Sequence, residues 1–459
     1  MSVTGTEKIN LENTKLSRFQ KIGYASGDFA NNFSWSLVSA YLMYFWTDVA
    51  LIPAILCGTF MLVSKLCDAV FDPVLGAIAD RTKTKWGRYR PWILFACVPM
   101  LLLNIMCFTV LPSQSANARA FYCFACYLLL VLVYSCVNIP YSAMPATLTR
   151  DGDTRSSLSS YRMTGAFIAT LILSQLVLRV VQWVGGGNEG KGFFWAAIIF
   201  SCVALPLYIF CFKTTKEVVE VPIEKVNYKG VLKVLKGNTP VMILVISFIC
   251  WGFYEAAGGA VRMYYFKYYV GNDQLFIVNS GLMFLGRVIG TFSLSYLVTR
   301  VTNKRTLPMI SFIICGILMI IMNYLPIHTA MGLNLYHGFT FLTGIGGGLG
   351  IASLFGMVPD TTEYTQYKYH QHAAGFVSAF ITFAFKFGMA ICTAIIGWVL
   401  GSLGYIANYG QNLNVMTAIN VCMNLVCGIA LLGSGVILYF YTIDKKTHVH
   451  MIEEINKIQ

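Results

Sequence analysis

Lys65, Asp68 and Asp72 stand three and four residues apart inside a continuous apolar run over 54–79. A run of that length can cross a bilayer as a helix. At roughly 100° per residue the three side chains fall within about 60° of one another, on one helix face. Charged groups at membrane depth are costly, and they persist where they face a bundle interior, pair with each other, and handle an ion or a proton. The chemistry this spacing supports is capture of a small cation between two carboxylates. The structural alternative is an ion-pair cluster that only locks helices together.

Other clusters carry less. Cys123 and Cys126 form a C-x-x-C inside an apolar helix with no strand beside it, so helix packing is favoured over redox or metal chemistry. Gly185, Gly186 and Gly187 with Asn188 read as a flexible turn; no strand precedes them and no Gly-Lys-Ser/Thr follows, so they are not a phosphate loop. His370 and His372, near Tyr364 and Lys368, read as solvated loop histidines, and no metal site is expected. Glu255 and Arg262 lie two turns apart on one helix face and could pair with each other, pair with a neighbouring helix, or face a cavity. Gly344, Gly346, Gly347, Gly348 and Gly350 are too dense for a stiff helix, which points to close packing or bending.

The elements that must position these residues follow from composition. The 459-residue chain is 57% hydrophobic and 12% charged, with mean hydropathy +0.65. A soluble protein carries about twice that charged fraction. Apolar stretches recur from end to end, so the expected class is an all-α polytopic membrane protein. The net charge of +13 resides in short segments between spans, which reports orientation in the membrane and excludes nucleic acid as a partner. Spans are expected near 22–49, 53–79, 91–111, 120–147, 161–184, 192–212, 241–270, 274–298, 307–326, 334–358, 373–403 and 415–442. The loop over 80–90 holds five basic residues against one acidic, and places itself and the N-terminus in the cytoplasm. The segment 213–238, with six Lys and three Glu, reads as a linker between halves. The expected organisation is a cytoplasmic tail (1–21), a six-helix bundle (22–212), a cytoplasmic linker (213–239), a second six-helix bundle (240–442) and a cytoplasmic tail (443–459), with no cleavable signal peptide. Arg287 holds the place in the eighth span that Lys65 holds in the second, and Arg300, Lys304 and Arg305 mirror the basic loop. Such a parallel repeat marks the major facilitator architecture, with a cavity at midplane between the halves.

Several motifs in order then resemble one family: Tyr41-Leu42-Met43-Tyr44-Phe45-Trp46-Thr47-Asp48, Asp68 through Asp72-Pro73, Trp86-Gly87-Arg88-Tyr89-Arg90-Pro91-Trp92, Asn138-Ile139-Pro140-Tyr141, Pro359-Asp360-Thr361-Thr362-Glu363-Tyr364 and Lys386-Phe387-Gly388. Over almost the whole chain the sequence is similar to the glycoside–pentoside–hexuronide:cation symporters, the family of the melibiose carrier. The resemblance implies that Asp68, Asp72 and Ser135 bind the cation, and that Asn32, Tyr134, Asn138, Arg162 and Lys386 bind cargo, with Lys386 linking the two sites. It also implies that Asp80, Arg81, Arg88, Asp360 and Glu363 serve in gating.

Phe71 departs from the family's sodium pattern, where an Asn stands, and it supplies no oxygen to a hard cation. Asn32 and Asn138 stand where the melibiose carrier has sugar-binding aspartates. A proton is therefore the favoured coupling ion, since two close carboxylates share one readily; sodium is the alternative. The loss of cavity aspartates, with Lys386, Arg162 and Arg262 near, suits an anionic sugar. The function expected is secondary active transport of a sugar, glycoside or sugar acid coupled to a cation, by a monomer in a bacterial inner membrane, with no cofactor and no enzymatic activity. A lysolipid or other non-sugar carrier, and an exporter of a sugar breakdown product, are the alternatives.

Overall fold

The structure, a computed structural model, describes residues 16–110, 115–149, 152–219, 237–298, 300–301, 303–369 and 374–444, with 447, 450, 451 and 454 beyond them. Most of the 213–238 linker, His370, His372, Arg150 and most of the 452–458 segment lie outside the described residues.

The chain is a succession of long helices: α1 Arg18–Tyr44, α2 Ala54–Arg81, α3 Arg90–Cys107, α4 Ala116–Ala143, α5 Gly152–Gly185, α6 Glu189–Thr214, α7 Thr239–Tyr264, α8 Gln274–Leu297, α9 Thr306–Met322, α10 Ala330–Gly356, α11 Ala374–Ser402 and α12 Leu413–Leu438. Among the described residues ten helical segments are long and apolar enough to cross a membrane, and α9 is a shorter apolar helix. α1 falls outside that set. It carries Arg18, Lys21 and Asp28 and many small polar residues, which dilute its hydropathy.

Side chains at the ends decide where helices begin. Ser17 opens α1 through a reciprocal capping box with Gln20, and Asn188, Asn238, Thr329 and Asn412 cap α6, α7, α10 and α12. Some expected loops are helical. α5 starts at Gly152 rather than near 161, and α10 is followed directly by the helix Val358–Tyr369, so Asp360, Glu363, Tyr364 and Lys368 are helical rather than in a loop. Both segments are polar, and a hydropathy reading ends a span where its apolar run ends, not where its hydrogen bonds do.

α1 and α7 each end in a π-helical turn, Phe45–Val49 and Tyr265–Val270. The two ends correspond in sequence, Met43-Tyr44 with Met263-Tyr264, and they meet in space.

Glycines set the closest helix approaches. A Cβ at Gly290 would stand 2.0 Å from the Ile345 carbonyl oxygen, and one at Gly348 2.2 Å from that of Arg287. The glycine-dense stretch is thus an unbroken helix whose Gly344 and Gly348 admit α8, while Gly346 and Gly350 admit Cys315 and Phe312 of α9. α11 is wedged in the same way: Gly397 lies against Gly58 of α2, and Gly388 against the Ile249 carbonyl of α7.

Candidate functional site

That wedge brings α11 alongside the charged face of α2. Lys386 Nζ lies 2.9 Å from Asp68 Oδ2 and also donates a short hydrogen bond to Asp72 Oδ2. Ser135 Oγ, from α4, donates to the other Asp68 oxygen at 2.6 Å. Asp68 is 2% exposed, while Asp72 Oδ1 is buried with no hydrogen-bond partner. Pro73 follows at once, and its missing N–H leaves the carbonyl of residue 69 without its usual helical donor. Three helices thus bring two carboxylates, a hydroxyl and an ammonium into one contact, and the ammonium occupies the place a small cation would take between the acids. Lys65 is not part of it. Its Nζ sits 4.3 Å over the Trp35 ring and makes no ion pair with the aspartates that share its helix.

Beside this cluster lies a cavity of about 430 Å³ with walls from α1, α2, α4, α5, α7, α8, α10 and α11. Asn32, Trp35, Lys65 and Tyr134 line one side, and Trp251, Tyr254, Glu255, Arg262 and Arg287 the other. Phe385 and Met389, flanking Lys386, complete the wall towards the charged cluster. Trp35 and Tyr134 stack on each other with ring centroids 4.5 Å apart. Asn32 is tied back by its Nδ2 to the Asp28 carbonyl (2.8 Å) and accepts from Thr170.

Other expected residues lie apart. Arg162 is paired with Asp28 at 3.2 Å and rests on the Tyr141 ring. Neither it nor Asn138 is among the residues lining the cavity. Glu255 and Arg262 do not pair with each other: Glu255 takes a two-pronged bond from Arg287 at 2.9 and 2.8 Å.

At the end of the molecule that carries the 82–89 loop, Asp80 accepts from the Tyr89 hydroxyl at 2.7 Å, and Arg81 is exposed. Burial and that bond to Asp80 push the Tyr89 phenol up to about 12. The backbone of Arg88, Tyr89 and Arg90, where α3 begins, donates to Glu217 at 2.9, 2.8 and 2.9 Å. A carboxylate there satisfies orphan N–H groups and complements the helix dipole. Asp360 is bonded by Lys304 at 2.8 Å, and Glu363, three residues on, shares its short helix. Nothing in the local sequence around Glu217 marks it, because its partners lie well over a hundred residues away.

Sequence reasoning also missed a hub at the opposite end. Asp48, with no exposed side-chain surface, accepts from Tyr405 (2.6 Å) and Thr47 (2.7 Å), takes a short bond from Tyr268, and lies 3.4 Å from Lys267 Nζ. Asn408, in left-handed conformation at φ 59°, donates to the Asp48 carbonyl and accepts from Lys267. The tyrosine-rich run 264–269 was the available signal. Cross-links between helices α1–α6 and α7–α12 concentrate from the Lys386 cluster to this end. They include Trp398 to Thr59 and Gln175 to the Ile277 carbonyl.

A family model described as MFS/sugar transport protein matches residues 23–445. The isoprimeverose transporter of Lactiplantibacillus pentosus is 32% identical over 439 residues, 93% of this chain and 89% of that one. An uncharacterized symporter, YnaJ of Bacillus subtilis (strain 168), is 31% identical over 450 residues, 96% and 95% of the two chains. Among solved structures, nucleoside transporter NupG superposes with a TM-score of 0.63 at 12% identity over 92% of this chain and all of that one, a likeness of fold.

Proposed function

Because the chain belongs to the MFS/sugar transport protein family, we propose that it moves a sugar, glycoside or sugar acid across the membrane, coupled to a cation, by alternating access. The observation that carries this reading is the Lys386 ammonium held between Asp68 and Asp72, next to a cavity walled by both parts of the chain. A relative known as an isoprimeverose transporter supports a sugar-type cargo. The architecture we propose is twelve spans, with α1 and the short α9 crossing alongside the ten longer segments. They form two six-helix bundles (22–212 and 240–442) joined by the linker 213–239, in a bacterial inner membrane with both tails (1–21 and 443–459) cytoplasmic.

The coupling step follows from charge. While both aspartates are ionised, they hold Lys386. A proton arriving on Asp72, whose Oδ1 is free to take it, removes one of those charges and loosens the ammonium. Lys386 then turns towards the cavity wall formed by its neighbours Phe385 and Met389 and bonds a cargo hydroxyl or acid. Cation and cargo are linked because one lysine answers to both. Sodium would need Lys386 displaced and five or six oxygens gathered, and Phe71 contributes none. A proton is therefore the proposed ion. With the 82–89 loop in the cytoplasm, the Asp48 hub lies at the external end and holds it closed. Asp80, Arg81, Arg88, Asp360 and Glu363 lie on the cytoplasmic side, where they would pair when that end closes.

Reconstituted into vesicles, the protein should accumulate a labelled glycoside when a proton gradient is imposed at fixed sodium. Accumulation driven only by a sodium gradient at fixed pH would reject the proton, and uptake indifferent to both would reject coupling.

A further inference from the structure

The cavity holds more positive than negative side chains. Lys65, Arg262 and Arg287 line it, against Glu255 alone. Glu255 is already committed, since both its oxygens accept from Arg287. Arg262 is 5% exposed, yet its Nη2 has only the Met283 sulfur at 2.8 Å, a weak acceptor, and its Nε is buried without a partner. No ion pair joins it to an Asp or Glu among the described residues. Lys65 likewise makes no ion pair among the described residues, its Nζ resting over the Trp35 ring. A guanidinium buried without an anion is expensive, and the side chain has not escaped to solvent. It folds back over Gly258, where an added Cβ would meet Nη2 at 3.4 Å, so the wall is bare where the fork lies.

We propose that Arg262, assisted by Lys65, is the binding site for the carboxylate of an acidic sugar, and that this site sets the cargo's charge. The planar guanidinium matches a carboxylate's two oxygens, which a neutral hydroxyl cannot reproduce. Glu255 keeps Arg287 from competing for the acid. This inference rests on the cavity being the cargo site.

The test compares two probes that differ only in the acid, methyl β-D-glucuronide and methyl β-D-glucoside, each binding to the purified full-length protein. Wild type should bind the glucuronide roughly tenfold or more tighter. Arg262→Gln should bring the two within about twofold by weakening the glucuronide more than the glucoside, and Lys65→Gln should narrow the gap partway. Equal affinity of wild type for both probes, or an undiminished gap in Arg262→Gln, overturns the proposal. If Arg262→Gln does not fold, Lys65→Gln alone decides it: an unchanged gap there also counts against the site. Proton-driven glucoside uptake without any preference for the acid would sink this inference and leave the transporter reading standing. Failure of wild type to bind the glucuronide would overturn this inference, while the accumulation experiment decides the transporter reading separately.

Discussion

At the scale of residues, the account turns on one lysine. Lys386→Met keeps the length of the side chain and removes its charge, so Asp68 and Asp72 face each other without a counter-ion and retain a proton between them. Proton-driven accumulation should fall about tenfold or more, while binding of cargo weakens less. Wild-type accumulation by this variant would reduce the lysine to a strut. The pairing was only half legible. The i, i+4 spacing of Asp68 and Asp72 fixes their common face whatever surrounds it, but Lys386 lies 314 residues from Asp72, and only the resemblance brought it to the site. Lys65 shows where face arithmetic stops. It shares the stripe, but a long flexible stem lets its ammonium rest over the Trp35 ring without an ion pair to either acid.

At the scale of elements, small residues decide how close the helices come, and closeness decides what Lys386 and Arg287 reach. Gly286 and Gly290 on α8 interlock with Gly344 and Gly348 on α10, two small-xxx-small pairs face to face. Gly290→Leu should destabilise the protein by about 1–3 kcal/mol through overpacking, read as a lower midpoint of thermal unfolding in detergent. An unchanged midpoint would mean that the helices part without cost. The glycine density of α10 was visible in the sequence, but its partner on α8 was not, because two glycines four apart are unremarkable until a second pair faces them. Helix ends followed the same rule. Caps such as Ser17 with Gln20 can be read locally, whereas the start of α3 is fixed by Glu217 from the far side of α6.

At the scale of the whole molecule, the ten long apolar helices and the shorter α9 were legible because burial in lipid writes itself into composition, whereas α1, diluted by polar residues, was less so. Which end is shut was not, since that depends on Asp48, Tyr268, Tyr405 and Asn408 meeting from three separate segments. Corresponding ends of α1 and α7 close on each other, as an internal repeat rocking about its own axis requires. Asp48→Asn removes the charge that holds Lys267 and should shift the population towards external opening. The readout is labelling of an introduced Ser39→Cys by a membrane-impermeant thiol reagent from outside, expected to rise about tenfold. Labelling equal to that in the Asp48 protein would mean the hub does not hold the closed end.

If the Asp68–Lys386–Asp72 contact couples a cation to cargo, Asp72 is needed for uphill transport and not for exchange. Vesicles containing wild type or Asp72→Asn are given the same inward proton gradient, and uphill uptake and equilibrium exchange of one labelled sugar are followed side by side. Wild type should concentrate the sugar, and Asp72→Asn should exchange it without concentrating it. Uphill uptake by Asp72→Asn at the wild-type level would contradict that coupling.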